Sequence, residues 1–278
     1  MYHAYGMTVD RLRARAGLVG PRELEWIPLG LELATGPAPA ESGLRWEDHR
    51  VELRSAGVAT IAVHREQSGD SGVRASIMAP SPVSEAEVHH PYLAFIAGVA
   101  SRWMGRTTLH GAAVVLGGRS WVLTGGPGSG KSSLAAALDR CGHAVQSDDL
   151  AVIEAGTVFA GPRGADLRDD SAATMGRGEL VRRGEEARWR TVLSPAPHEA
   201  PLGGLVELRW GDRLLAEKVP LSRRLDVLAR AEGFGRGPSR DSSFLELLSR
   251  PVWTLTRPRR WDSTDEAVDV LDGLASGG

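Results

Sequence analysis

The stretch SWVLTGGPGSGKSS, residues 120–133, decides how this chain is read. Within it Gly125, Gly126, Pro127, Gly128, Ser129, Gly130, Lys131 and Ser132 fit the phosphate-loop pattern G-x-x-x-x-G-K-[ST], and Ser133 follows directly. The apolar run Trp121-Val122-Leu123 precedes the loop as a buried strand would, and residues 132–138 continue it with good helix formers. Glycines let the backbone turn successive N–H groups inward, so that they can cradle phosphate oxygens at the positive end of the helix. Lys131 is then placed to meet the β and γ phosphates of a nucleotide, and the Ser132 hydroxyl to ligate Mg²⁺. The competing reading is an ordinary glycine-rich turn between a strand and a helix.

Working outward, the helix should close near Cys141-Gly142, glycine being the favoured residue there. Residues 143–153 read as a strand, the acidic pair Asp148-Asp149 and a second strand. Adjacent carboxylates close to a phosphate loop repel unless a cation sits between them. That makes Asp148 a Mg²⁺ candidate and Asp149 a base candidate, against the plainer reading of a solvated turn. On the other side, residues 109–116, the Gly117-Gly118-Arg119 turn and the strand entering the loop predict a hairpin, with His110 at its start in either a structural or a functional role. Residues 91–104 carry apolar side chains at helical spacing and are expected to pack on the sheet that follows.

Farther away the pattern loosens. Residues 1–88 are short β-like runs broken by Gly, Pro and Ser, a small β-rich lobe that could also recruit substrate. Residues 161–200 form a long connection rich in Gly, Pro and charge, read as a mobile active-site flap bearing Arg163, Arg168, Arg188 and Arg190, or as a solvated insertion. Part of it, around 170–175 and 178–183, is expected to be helical. In the last third, residues 205–210, the Gly211-Asp212 turn and residues 213–219 predict a hairpin. A helix over 223–231 should stop at Gly233-Phe234-Gly235, and Arg257, Arg259 and Arg260 read as a solvated basic face.

Composition narrows the function classes. The 278 residues are 42% hydrophobic and 24% charged, ordinary for a globular chain, and the net charge of −2 gives no pull toward nucleic acid or anionic membrane. Cys141 is the one cysteine, which excludes an internal disulfide or a cysteine metal cluster and suits a reducing cytoplasm. The charged first twenty residues do not read as a signal peptide, and no apolar run reaches the roughly 18 residues of a membrane span.

The set Leu109-His110-Gly111, the Gly125–Ser132 loop, Gly142-His143 and Asp148-Asp149 resembles HPr kinase/phosphorylase and its homologues, in the same order and with similar spacing. Tyr2-His3-Ala4-Tyr5-Gly6 and Tyr92-Leu93 also look like the branch found with ribosomally made peptides, especially lasso peptides, in which the kinase phosphorylates a serine of the precursor. The firm part of the match runs over residues 90–160. The resemblance implies an α/β fold, a phosphate-loop kinase core of the HPr-kinase and PEP-carboxykinase type, with residues 1–88 as a β-rich lobe and 89–278 as the ATP-binding catalytic domain. It implies Lys131, His110 and Asp149 as active-site residues, Ser132 as a Mg²⁺ ligand, and a peptide or small-protein acceptor bearing a serine. The glycine-rich signature that the bifunctional enzyme carries downstream has no counterpart, since residues 161–170 read GPRGADLRDD, so phosphorylase activity and HPr itself are not expected.

The expected activity is therefore ATP-dependent serine phosphorylation. A genuine HPr kinase, a small-molecule kinase and a nucleotide-dependent switch without transfer remain as alternatives, and self-association is left open.

Overall fold

In the computed structural model, residues 2–10, 18–19, 26–66, 72–176, 178–183, 186–232 and 242–276 are described. The spine is the strand Glu199–Trp210, twelve residues long and buried through most of its length. It runs parallel to Arg119–Thr124 on one side. On its other side Thr157–Phe159 pairs antiparallel with its first residues, and Val252–Arg257 pairs parallel with its second half. The sheet continues outward through Ala112–Leu116 to Ala144–Ser147 at one edge, and through Leu150–Glu154 to Thr107–His110 at the other.

Alternation along these strands feeds two cores. Trp121, Leu123, Val206, Leu208 and Leu255 meet Leu134 and Leu138 of the helix Lys131–Arg140 and Val268 and Leu271 of Asp262–Ser276. Val122, Leu205 and Val252 point the other way, toward Val227 and Leu228 of the helix Leu221–Ala231. The Gly117-Gly118 turn, both residues at positive φ, makes the expected hairpin between Ala112–Leu116 and Arg119–Thr124.

A seven-stranded sheet occupies the amino-terminal region, in the order Tyr2–Ala4, Met7–Val9, Ile27–Thr35, Val73–Ala79, Ala59–Arg65, Arg50–Ser55, Gly43–Trp46. Its buried face shares one core with the helix Leu93–Trp103 and with Leu150, Val152 and Phe159. The helix expected to pack on the following sheet is wedged between both sheets, because all but its last two residues are buried and no polar face remains to turn outward. Arg106 adds a polar tie: its guanidinium donates to Gly6 O at 3.0 Å and to Glu154 at 3.0 Å and stacks 4.6 Å from the Phe159 ring.

Two expectations change. The connection 161–200 is not a bare flap: Gly164–Leu167, Glu179–Arg183 and Glu186–Val192 pair into a three-stranded antiparallel sheet, with the helix Asp169–Met175 between the first two. Residues 179–183, expected to be helical, are a strand, because cross-strand pairing with Glu186–Val192 outweighs weak local preference. The predicted hairpin across Gly211-Asp212 does not form either. Leu215–Lys218 pairs antiparallel with Val252–Arg257, which lies between it and the spine. The apolar strand at 252–257 gains more by burial beside the spine than the charged Leu215–Lys218 would. The Gly233–Gly235 helix stop lies outside the described residues.

Candidate active site

The strand Arg119–Thr124 delivers the chain into the loop at Gly125, whose φ is 138° and where a Cβ would come 2.7 Å from Ser129 Oγ and 2.8 Å from Leu208 O. Gly130, at φ 85°, caps the helix Lys131–Arg140, and a Cβ there would collide with the Arg257 guanidinium. Glycine is therefore required at both ends of the loop by geometry and by space. Lys131, almost fully buried, holds its Nζ 2.8 Å from Gly125 O and 3.3 Å from Gly126 O, at the mouth of the loop. Burial pushes its pKa down while the charges of Asp148 and Asp149 oppose that shift.

The HG and DD pairs interlock. His110 pairs with Leu150 across adjacent strands, and the Gly111 N–H donates to Asp149 O at 3.0 Å. A Cβ on Gly111 would lie 2.4 Å from Leu123 O, so only glycine lets the chain cross the loop strand this closely. The His110 ring hydrogen-bonds the Asp149 backbone, and its pKa is pushed down by burial and by the Lys131 charge, against the pull of Asp149. In this setting the ring is neutral near pH 7.

The two carboxylates leave the turn in different directions because Asp149 has φ 77°, a left-handed conformation that aspartate tolerates better than most residues. Asp148 turns inward. Its carboxyl accepts from the Ser132 hydroxyl and from the Asp166 N–H, yet Oδ1 is buried without a hydrogen-bond partner. Burial, and then the neighbouring Asp149 charge, push its pKa up to about 8. An orphaned, buried carboxylate oxygen beside a phosphate-loop hydroxyl suits a hard divalent cation. Among the described residues no cluster of three or more His, Cys, Asp or Glu could hold a metal alone. A cation at Ser132 and Asp148 would therefore complete its shell with water and phosphate oxygens, as Mg²⁺ prefers.

Asp149 turns outward to His90, whose Nε2 contacts Asp149 Oδ2 and whose Nδ1 lies 3.4 Å from Asp166 Oδ2. Asp166 is clasped by Arg190, Nε to Oδ1 at 2.7 Å and Nη2 to Oδ2 at 3.0 Å, and Arg190 also donates to the Ala86 and His90 carbonyls. From below, the buried Tyr5 hydroxyl donates to Asp148 O at 3.4 Å. A carboxylate, an imidazole, a second carboxylate and a guanidinium thus form one continuous support for the Asp149 side chain.

These groups surround a cleft of about 580 Å³. Of the residues singled out in the sequence, His110, Pro127, Gly128, Gly130, Lys131, Ser132, Ser133, Asp149, Arg168 and Arg188 line it. Gly125, Gly126, Ser129 and Asp148 are not in its lining, although Asp148 is hydrogen-bonded to Ser132, which is. Arg163 is turned elsewhere, donating to Leu193 O at 2.6 and 3.0 Å, and Arg190 serves Asp166. His90, Asp166, Trp210 and Trp261 are cleft residues that sequence reasoning passed over, and Arg257, Arg259 and Arg260, read as a solvated face, line it too. The available signals were the polar pair His89-His90 before an apolar helix and three arginines beside Trp261. Arg257, expected on a solvated face, is 2% exposed; it donates to Gly130 O at 3.3 Å and lies 4.3 Å from the Trp210 ring centre. Burial lowers its pKa to about 10, so it stays charged at neutral pH.

No family model and no curated protein matches this chain. Among solved structures, the Hpr(Ser) kinase/phosphatase from Coxiella burnetii is similar over 62% of this chain and 99% of its own, at 12% identity and a TM-score of 0.32. At that identity and that score nothing about activity transfers from it. No helix among the described residues is long and apolar enough to cross a membrane.

Proposed function

We propose that this chain is an ATP-dependent serine kinase whose acceptor is a peptide or small protein, with a ribosomally made precursor of the lasso type as the specific acceptor the sequence resemblance favours. The observation that carries the reading is convergence: Lys131 and Ser132 of the phosphate loop and Asp149 of the acidic turn line one cleft, and Asp148 is hydrogen-bonded to Ser132. Lys131 and Ser132 open a helix while the two aspartates sit in a turn between two other strands, and an ordinary glycine turn has no need of a carboxylate opposite its lysine.

In the transfer, the acceptor Ser oxygen forms a bond to the γ-phosphorus as the bond from that phosphorus to the β–γ bridging oxygen breaks, and ADP leaves with the electron pair. The hydroxyl proton passes to the Asp149 carboxylate. Lys131 and the loop N–H groups stabilise charge on the transferring group, and His110, neutral with its one ring N–H given to the Asp149 backbone, steadies the acidic turn beside them. His90 holds the Asp149 carboxylate in place, with Asp166 and Arg190 holding His90. Mg²⁺, held by Ser132 and Asp148, would supply neutralisation of the β and γ oxygens. Arg168 and Arg188, which also line the cleft, are placed to meet an anionic group of the acceptor.

The test is incubation with ATP and candidate acceptors, read by mass spectrometry. A serine kinase leaves one phosphate mass on an acceptor serine and forms ADP in step with it. ATP binding without phosphate on any peptide, on HPr or on a small molecule would favour a nucleotide-dependent switch instead.

A further inference from the structure

The cleft also runs along Gly128 and Gly130, where Trp210 and Arg257 hydrogen-bond to the loop, and it changes character there. Trp210 and Trp261 line that end, each more than one-third exposed, together with Arg257, Arg259 and Arg260. Indole rings left this open inside a cleft are costly unless something covers them, and flat aromatic faces beside guanidinium planes suit a flat, electron-rich ring.

The Trp210 ring and the backbone that carries Trp261 are fixed in advance. The Trp210 indole N–H donates to Gly128 O at 2.9 Å, and Arg257 stacks on its ring. Trp261 sits in a turn locked by Ser263, whose hydroxyl donates to Arg260 O at 2.7 Å and Pro258 O at 2.8 Å, while the Thr264 N–H donates to Trp261 O at 2.9 Å. A platform ordered beforehand loses little entropy on binding.

We infer that this end of the cleft is a nucleobase subsite in which the purine of the bound nucleotide stacks on Trp261 beside the Trp210–Arg257 pair. The inference rests on the phosphate-loop reading above and deepens it. The direction follows from the loop: Lys131 and Asp149 mark the γ end, so the base leaves toward Gly128 and Trp210. Stacking reads ring area more than exocyclic groups, so the site takes either purine and disfavours pyrimidines.

The experiment is calorimetric titration of the full chain, with Mg²⁺ present, using ATP, GTP, CTP and inorganic tripolyphosphate, on the parent and on Trp261→Ala and Trp261→Phe. The Ala variant should lose about tenfold in affinity for ATP and GTP, equivalent to about 1.4 kcal/mol. Its tripolyphosphate affinity should be unchanged, which also reports an intact loop. The Phe variant should recover most of the loss, and CTP should bind the parent more weakly than either purine. Parental ATP affinity in Trp261→Ala, or an equal loss for ATP and tripolyphosphate, overturns the subsite alone. A parent chain that binds neither ATP nor tripolyphosphate overturns the phosphate-loop reading as well.

Discussion

The two walls of the cleft are built in opposite ways. The loop wall is nearly continuous chain, Gly125 to Ser133, with its geometry dictated by local glycines and a helix start. The facing wall takes Asp149, His90, Asp166 and Arg190 from four separate segments, linked by contacts that span up to 100 residues in sequence. A wall made of contiguous chain tolerates changes elsewhere, whereas an assembled wall fails wherever one of its segments shifts.

The largest expected effect falls on the contiguous wall. Lys131→Ala should reduce turnover by about 10³-fold or more while leaving the melting temperature near the parent's, because one charge aimed at the transferring group is lost. A milder loss in steady-state kinetics would mean that the loop does not bind the reacting phosphates. Asp149→Asn should cost roughly 10²- to 10⁴-fold in kcat and leave ATP affinity by titration close to parental. Equal transfer by this variant would remove Asp149 as the base.

His90→Ala sharpens the comparison, since it touches only the assembled wall. It should lower kcat by about tenfold to a hundredfold with little change in ATP affinity, and His90→Gln should recover part of the loss by keeping one hydrogen bond to Asp149. If His90→Ala weakens ATP binding as much as turnover, the two walls are not separable.

The smallest effect is on stability. The Asp148 carboxyl is raised from 3.8 to about 8 in the folded chain. The folded state therefore keeps a proton that the unfolded state releases across that window, so stability should fall as pH rises through it. Thermal melts without divalent cation should decline between about pH 5 and pH 8 for the parent and stay flatter for Asp148→Asn. Added Mg²⁺ and nucleotide should raise the melting temperature of the parent more than that of the variant.

The same contrast explains what the sequence disclosed. The loop, its flanking strand and helix, the Gly117-Gly118 hairpin and the DD turn were legible because each is decided within about ten residues by glycine placement and apolar period. His90 and Asp166 were not, since nothing local distinguishes a cleft histidine from a surface one. Arg257 was misjudged with its whole neighbourhood. The Gly211-Asp212 turn suggested a hairpin, and only the insertion of Val252–Arg257 beside the spine turns that arginine inward. Residues 164–192 looked like loop because their strands pair with one another rather than with the main sheet.

The contact between Tyr5 and the Asp148 carbonyl, with Arg106 gripping Gly6 nearby, has a practical side for anyone trimming the molecule. The opening hairpin is a keystone under the acidic turn. A shortened version starting at residue 89 would retain every group that handles phosphate but lose the Tyr5 contact beneath that turn and the sheet that shares a core with Leu150 and Val152 behind it.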